Sequence, residues 1–310
     1  MSGAPKDHGT RAEWLEARRK IIGASDVPAI LGVSPFRRTP LHVYLDKIGL
    51  AEDDGAGEEN EAFYWGHALE APIRKRYSEV TKRTLADTGE FTITHNSDLP
   101  EWCAATLDGS IVEADGKVTP APLELKTIGG NPRAVLADWR DHGPPLAYAV
   151  QVQYQMLVTG ASWASIAALI AGQRFVYADL ERNDTLLKMI LLKCEMFWRR
   201  VQQRNPPEPT GPDERVALKQ LYQQETPGVA IALPERFVEV DARRRDAIER
   251  AKAADIERAT CDNIIMASMG EAEVATLPDG TVYTWKSRET KGYEVKASTR
   301  RWLMRRGERE

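Results

Sequence analysis

The stretch Leu123-Glu124-Leu125-Lys126 decides the fold of this chain. If it forms a β-strand, side-chain alternation buries the two leucines and places Glu124 and Lys126 together on the opposite face. An acid and a lysine at alternate positions are also common on ordinary surface strands. This pattern therefore indicates a function only in combination with other residues.

Two further acids, Glu70 and Asp108, supply that combination. Asp108-Gly109 precedes the apolar pair Ile111-Val112, and the chain from there to Glu124 is long enough for a strand, a turn at Asp115-Gly116 and a return. We therefore expect Asp108 and Glu124 to converge from adjacent strands. Carboxylate oxygens without Cys or His nearby favour Mg²⁺ or Mn²⁺ over zinc. With a lysine beside them, such acids are typical of a metal-dependent phosphodiesterase.

Length and composition set the outer limits. A chain of 310 residues exceeds the usual size of one domain, so we expect a core domain with an appendage. The composition, 42% apolar and 28% charged, is that of a soluble globular protein. The chain has no run of 18 apolar residues and its first eleven residues are polar, so we predict no membrane span and no signal peptide. Three widely spaced cysteines fit a reducing cytoplasm.

The net charge of −4 is low for a protein that binds nucleic acid. Basic residues are nevertheless clustered locally, at Arg18-Arg19-Lys20, at Arg37-Arg38 and near the end of the sequence. Residues 286–310 contain nine Lys or Arg against four Glu. The charge distribution therefore permits a nucleic-acid partner without requiring one.

Apolar periodicity predicts an α/β core. Helices are expected at 14–20, 27–31, 40–48, 61–83, 148–158 and 183–204, and strands at 90–94, 104–112, 122–127, 165–170 and 175–180. In the helix at 148–158, Gln151 and Gln155 share one side, whereas Gln153 falls on the apolar side. The Gln153 amide is expected either to point into the active site or to cap a nearby backbone group.

The sequence pattern changes after residue 207. We predict a core domain at 1–207, and at 208–310 a helical arm with a small β unit built on a hairpin around Asp279-Gly280 and a third strand at 293–296. This part carries Trp285, Lys286, Tyr293, Arg300, Arg301 and Trp302. Such residues can bind nucleic acid, anchor a partner protein or pack on the core.

Five motifs, in this order, resemble the YqaJ-type viral recombinase family, which includes lambda exonuclease. They are Gly23-Ala24-Ser25-Asp26-Val27 with Ile30-Leu31-Gly32, Tyr64-Trp65-Gly66 leading to Glu70, Leu107-Asp108-Gly109, Leu123-Glu124-Leu125-Lys126, and Gln151-Val152-Gln153-Tyr154-Gln155-Met156. The likeness covers about Trp14 to Pro207. It implies a restriction-endonuclease-like core of the PD-(D/E)xK class, with a mixed central sheet flanked by helices.

The resemblance also implies roles for single residues. Glu70, Asp108, Glu124 and the Leu125 carbonyl would hold Mg²⁺ or Mn²⁺, with Lys126 as the catalytic lysine. A pocket for a 5′-terminal phosphate would fall on Arg18, Ser25, Thr106 and Gln153, and Gln151 is also assigned to DNA binding. Thr106 stands where lambda exonuclease has serine, and Leu107 stands where the class name expects proline.

Several of these residues have ordinary structural interpretations. Arg18 could be a solvated cation on a basic helix, and Ser25 is primarily an N-cap candidate. Trp65 is expected to pack in the core rather than to stack on a base. His67 is expected to be structural or exposed, without a partner in the motif set.

The function implied is that of a metal-dependent DNA nuclease of phage-type recombination in the cytoplasm of a bacterial host. It would be a 5′→3′ exonuclease on double-stranded DNA ends, and the 3′ tails would suit a single-strand annealing protein. The resemblance also makes a ring-shaped homotrimer conceivable. Two alternatives remain: a structure-selective or non-specific endonuclease, and a non-catalytic recombination adaptor that binds DNA ends through a vestigial site.

Overall fold

The computed structural model describes residues 5–35, 37–51, 61–86, 88–112 and 121–287. Within these ranges the helices are α1 Arg11–Arg19, α2 Val27–Ile30, α3 Pro40–Lys47, α4 Glu61–Ala68, α5 Glu70–Thr81, α6 Pro132–His142, α7 Leu146–Thr159, α8 Asp184–Gln202, α9 Arg215–Leu221 and α10 Arg236–Met269. The strands are β1 Lys6–Asp7, β2 Thr84–Ala86, β3 Thr92–His95, β4 Ala104–Ala105, β5 Gly109–Val112, β6 Ala121–Ile128, β7 Trp163–Ile170, β8 Arg174–Glu181, β9 Val274–Thr276 and β10 Val282–Thr284. The predicted turn at Asp115-Gly116, the third C-terminal strand, Tyr293, Arg300, Arg301 and Trp302 lie outside the described residues.

The central sheet has five strands in the order β2-β5-β6-β7-β8. Strands β6 and β7 are parallel, and the other neighbours are antiparallel. Two parallel strands need a long crossover, which α6 and α7 provide here. The predicted α/β class, with a mixed central sheet and flanking helices, is confirmed.

Helix α7 lies at the centre of the core, and twelve of its fourteen residues are buried. Val152 and Met156 pack with Ile166 of β7, whereas Tyr154 and Val158 pack in a second cluster with α2, α3 and α8. A helix that is apolar nearly all round is stable only when it is enclosed. The glutamines of α7 therefore lie inside the protein.

One predicted strand is in fact two. Residues 104–112 divide into β4, which pairs with β3 in a separate three-stranded sheet, and β5, which belongs to the central sheet. The connection is Thr106-Leu107-Asp108. Asp108 thus stands where the chain changes sheets.

One predicted helix is also divided. The helix expected at 61–83 breaks at Leu69, and Glu70 becomes the first residue of α5. Pro72 explains the break, because it has no N–H to donate to the Ala68 carbonyl, whereas proline is well tolerated in the first turn of a new helix. Helix α6 and the short strands β1 and β2 had no predicted counterpart.

The chain divides into two compact units, residues 1–223 and 224–310. The first unit continues past the predicted boundary at residue 207 because α9 packs on it, with Ala217 buried in the cluster that contains Leu41 and Tyr44. In the second unit, α10 is followed by the β9-β10 hairpin, with Gly280 at a positive φ of 87° in its turn. Across the described ranges, no helix combines the length and the apolar sequence needed to cross a membrane.

Candidate active site

The strand register brings Asp108 and Glu124 together. In the antiparallel β5-β6 pair, Gly109 lies opposite Leu123, so the next position of the same register sets Asp108 opposite Glu124. Because β5 begins only at Gly109, a side chain and not a backbone carbonyl pairs with Leu125 at this position of the sheet. Asp108 Oδ2 accepts the Leu125 N–H at 2.8 Å. The N–H and C=O of one strand residue point to the same side. The Leu125 carbonyl therefore also points toward Asp108.

Glu124 is held by three donors. The residue is 1% exposed, and its carboxylate accepts Gln151 Nε2 on Oε1 and Gln155 Nε2 on Oε2, both at 2.6 Å. The Lys126 ammonium also donates to Oε1 and lies 5.3 Å from the centre of the Tyr148 ring. Burial opposes the charge on Lys126, but Glu124 and Asp108 raise the lysine's pKa above its ordinary value.

Electrostatics places Glu70 with the other two acids. Burial and the charge of Glu124 raise the pKa of Asp108 to about 8, and Glu70 contributes in the same direction. Burial also raises the pKa of Glu70, with Glu124 adding to the shift and His67 and Arg74 opposing it. Glu124 and Glu70 therefore both disfavour the charged form of Asp108.

Two residues beside Glu70 were not assigned a role from the sequence. His67 is exposed, as expected, but its Nδ1 lies 3.1 Å from Glu70 Oε1, so the expectation that it has no partner in the motif set is wrong. Arg74 donates to the backbone carbonyl of Asp108 and thereby ties α5 to the point where the chain changes sheets. The available signal was helical spacing, because residues three before and four after Glu70 share its face.

The donor set fits a hard divalent cation in chemistry and charge, since it consists of partly or fully buried carboxylates that repel one another. These donors do not form a complete metal-coordination site. Among the described residues, no three His, Cys, Asp or Glu side chains are gathered closely enough to hold one ion. The contacts explain this, because Glu124 is turned toward Lys126 and the two glutamines while Asp108 Oδ2 is turned toward the Leu125 N–H.

A second polar cluster joins three of the residues predicted to bind phosphate. Arg18 Nη2 donates to Ser25 Oγ at 2.8 Å, and its guanidinium lies 4.7 Å from the centre of the Trp14 ring. Trp14 Nε1 in turn donates to Thr106 Oγ1 at 3.2 Å. Trp14 was not recognised in the sequence, although it precedes Arg18 by one helical turn on α1. Arg18, Ser25 and Thr106 are thus brought together.

Comparison with known proteins shows what this chain is similar to. Residues 13–162 match the model of the YqaJ-like viral recombinase domain. The matched segment is just under half of the chain. The protein YqaJ of Bacillus subtilis (strain 168), described as uncharacterized, is 34% identical over 193 residues, which cover 61% of this chain and 56% of that protein. The match thus spans little more than half the length of this relative.

Two solved structures resemble the chain more distantly. The alkaline exonuclease LHK-Exo from Laribacter hongkongensis is 19% identical, with a TM-score of 0.49, and the likeness covers 69% of this chain and all of that one. A phage related exonuclease from Haemophilus somnus 129PT is 15% identical, with a TM-score of 0.40, over 59% of this chain and 94% of that one. Neither likeness is close enough to assign an activity to this chain.

Within the matched segment 13–162, Gln153 does not join the phosphate cluster. Its Nε2 donates to the Glu181 carbonyl at 2.7 Å, and its Oε1 accepts the Asn183 N–H at 2.9 Å. This is the backbone-capping alternative, and it ties α7 to the end of β8. Gln151 is likewise bonded to Glu124 rather than directed at DNA. The assignment of these two glutamines to phosphate or DNA binding stays a prediction, and here both amides bond within the protein.

Two further residues of the matched segment differ from their predicted settings. Trp65 is 53% exposed and donates to Glu61 at 2.8 Å, so the expectation that it packs in the core is wrong. Ser25 is not a helix cap, because Gly23 and Asp26 occupy the N-cap positions of the 3-10 turn and of α2. Its exposed hydroxyl is instead the acceptor for Arg18.

Proposed function

We propose that this chain is a metal-dependent DNA nuclease that degrades one strand of duplex DNA from its 5′ end and leaves 3′ single-stranded tails. The observation that carries this proposal is the arrangement of Asp108, Glu124 and Lys126 at one end of β5. The Arg18-Ser25-Thr106 cluster lies close by, because two residues of chain from Thr106 to Asp108 span at most about 7 Å. The proposed hydrolytic site and the proposed phosphate site would therefore adjoin.

The residues that would hold Mg²⁺ or Mn²⁺ are Glu70, Asp108, Glu124 and the Leu125 carbonyl. When bound, the ion would supply Lewis-acid polarisation of the phosphate and a nucleophilic water. Lys126 is an ammonium at neutral pH, because its carboxylate neighbours raise its pKa. It therefore acts as a cation and not as a base.

The reaction proposed is hydrolysis by in-line attack. A water oxygen forms a bond to phosphorus as the bond to the leaving oxygen of the neighbouring nucleotide breaks, and that oxygen takes up a proton. Negative charge accumulates on the phosphate oxygens in the transition state. Lys126 would stabilise this charge or orient the attacking water.

The Arg18-Ser25-Thr106 cluster provides a basis for starting at an end. Arginine binds phosphate through two parallel hydrogen bonds, and hydroxyl groups can occupy further phosphate oxygens. The guanidinium of Arg18 is held in place by the Trp14 ring and by Ser25. A terminal phosphate carries more negative charge than an internal one, so this cluster would favour a 5′-phosphorylated end. The 3′ tail produced would be a substrate for a single-strand annealing protein.

The test is digestion of end-labelled linear duplex in Mg²⁺, with and without a 5′ phosphate, beside a covalently closed circular duplex. We expect Lys126→Ala to lower the cleavage rate by about 100-fold or more, since it removes a cation aimed at transition-state charge. Arg18→Ala should instead reduce the preference for the phosphorylated end by about 10-fold, the loss of a charge-assisted hydrogen bond. Arg19→Ala is the matched control, because Arg19 is the next residue of α1 and pairs only with Glu16 among the contacts described for it.

Each rival function predicts a different result in the same assay. Cleavage of the closed circle at the rate of the linear duplex would establish an endonuclease. Identical DNA binding and no cleavage in wild type and Asp108→Ala would establish a non-catalytic adaptor. Wild-type cleavage that continues in excess EDTA would remove the metal from the proposal.

A further inference from the structure

Helix α7 carries three buried glutamines within five residues, and two of them serve a carboxylate. Gln151 and Gln155 are 8% and 0% exposed, and each donates one N–H at 2.6 Å to a different oxygen of Glu124. Residues four apart share one helix face, so both amides reach the same side chain. The third, Gln153, bonds instead to the backbone groups of Glu181 and Asn183.

The position of Gln155 lowers the stability of the fold. Its Oε1 is buried and finds no donor among the described residues, and a buried acceptor without a partner lowers stability. The reverse orientation of the amide would set its oxygen, instead of its nitrogen, against the Glu124 carboxylate. The position of Gln155 is therefore explained by what its Nε2 does for Glu124 and not by a contribution to the core.

The contacts determine what Glu124 can still bind. A carboxylate has about four acceptor positions, two on each oxygen. Lys126 and Gln151 occupy Oε1, and Gln155 occupies one position on Oε2. Counted over the contacts of the described residues, one acceptor position then remains, and it lies on Oε2.

We infer that Gln151 and Gln155 are positioning residues that hold Glu124 so that it offers a single oxygen, Oε2, to the divalent ion. This inference rests on the proposed function, in which Glu124 is a metal ligand. Partners that orient a ligand typically change metal affinity by about 10–100-fold when they are removed. Without the amides, the Glu124 carboxylate can rotate and is drawn closer to Lys126, which competes with the ion for the same oxygens.

The experiment measures metal binding directly, with Mn²⁺ as the probe and the electron paramagnetic resonance signal of free Mn²⁺ as the readout. Gln151→Met and Gln155→Met keep the length and volume of the side chain but remove the donor. In each variant of the full chain we expect the Mn²⁺ dissociation constant to rise about tenfold or more. The Mg²⁺ concentration for half-maximal cleavage should rise in parallel.

Gln153→Met is the matched control, because it removes a buried amide with two hydrogen bonds from the same helix without touching Glu124. It should lower the thermal unfolding midpoint but leave the Mn²⁺ dissociation constant within about twofold of wild type. If Gln155→Met does not fold, Gln151→Met alone decides the matter, since Gln151 is 8% exposed whereas Gln155 is fully buried.

Three outcomes overturn the inference. If both Gln151→Met and Gln155→Met bind Mn²⁺ with wild-type affinity and Mg²⁺-dependent cleavage is intact, the positioning role is refuted. The proposed nuclease function is then unaffected. An equal loss of affinity in Gln153→Met shows that the effect is general destabilisation. A wild-type chain that neither binds Mn²⁺ nor cleaves DNA refutes the proposed function as well.

Discussion

At the scale of single residues, one buried pair of charges stands behind the Arg18-Ser25-Thr106 cluster. The side chains of Asp26 and Lys47 are both fully buried, and their charged atoms lie 2.8 Å apart. Asp26 also accepts the Gly23 N–H at 3.1 Å and pairs with Arg38, while Lys47 Nζ donates to the Arg18 carbonyl at 3.0 Å. The pair therefore joins the segment that carries Ser25 to the end of α1 that carries Arg18.

Lys47→Met should destabilise the protein by about 3 kcal/mol at pH 7, because it leaves the buried carboxylate with only part of its compensating charge. The measurement is urea unfolding of the full chain. Lys20→Met is the control, since Lys20 pairs with Glu16 on the surface at 3.4 Å and should change stability by less than about 0.5 kcal/mol. A loss below about 1 kcal/mol in Lys47→Met would mean that the pair stabilises little.

The same variant has a predictable pH dependence. Burial tends to raise the pKa of Asp26, but the charges of Lys47, Arg38 and Arg18 outweigh it and hold that pKa well below the ordinary value. A depressed folded-state pKa gives stability that is present above the unfolded pKa of about 3.9 and is lost as the pH falls. Without Lys47 this depression is weakened. The difference in stability between wild type and Lys47→Met should therefore shrink as the pH is lowered from 7 toward 3.

The site residues differ in how far their contacts could be predicted from the local sequence. Asp108, Glu124 and Lys126 could be assigned to one site because strand alternation and chain length alone bring them together. The shared face of Gln151 and Gln155 was also predictable. Their attachment to Glu124 was not, because helical spacing says which residues share a face but not which element packs against it. For the same reason, Gln153 could not be distinguished as a backbone cap.

At the scale of elements, the helix and strand types were largely predictable and their breaks were not. Residues 104–112 contain no proline, and their glycine follows Asp108, so nothing local marks a change of sheet at Thr106-Leu107-Asp108. The change is imposed by tertiary pairing, with β4 held by β3 and β5 held by β6. This break frees Asp108 from the ladder and lets its side chain meet Leu125.

Helix α9 is the element whose assignment matters for experiments on fragments. It contributes Ala217 to the core cluster, with Leu218 and Leu221 packed against that cluster, and the fully buried Glu214 before it accepts the Gly211 N–H at 2.8 Å. Chains ended at residue 207 and at residue 223 should therefore differ. The shorter one should unfold about 5–10 °C lower, since it loses a few kcal/mol of apolar burial.

Calorimetry of the two fragments, each compared with the full chain, makes this measurement. Equal midpoints for the two fragments would show that α9 adds nothing to the first unit and would restore the boundary at residue 207.

At the scale of the whole molecule, charge is distributed unevenly along a chain that is acidic overall. The net charge is −4, yet residues 286–310 hold nine Lys or Arg against four Glu. The acids of the site account for part of the negative charge, and a bound divalent ion would offset it. Trp285 is exposed and precedes this basic segment. Aromatic and basic residues in combination are typical of sequences that bind a nucleic-acid backbone.

Removal of residues 224–310 should therefore weaken DNA association more than it changes cleavage. Each lost phosphate contact lowers the slope of log K against log salt by about 0.9, so the slope for the 1–223 chain should be smaller by about 2 or more. Run length on long duplex DNA should fall with it. The single-turnover cleavage rate on a saturating short duplex should stay within about threefold, because the site residues all lie in the first unit.

The matched variant keeps the full chain and replaces Arg300, Arg301, Arg305 and Arg306 with glutamine. If phosphate contacts carry the effect, this variant should reproduce most of the lost salt dependence without any change in chain length. A 1–223 chain with an unchanged slope and run length would show that the second unit does not hold DNA. If the salt-dependence slope is normal in the glutamine variant but reduced in the 1–223 chain, other residues of the second unit make the phosphate contacts.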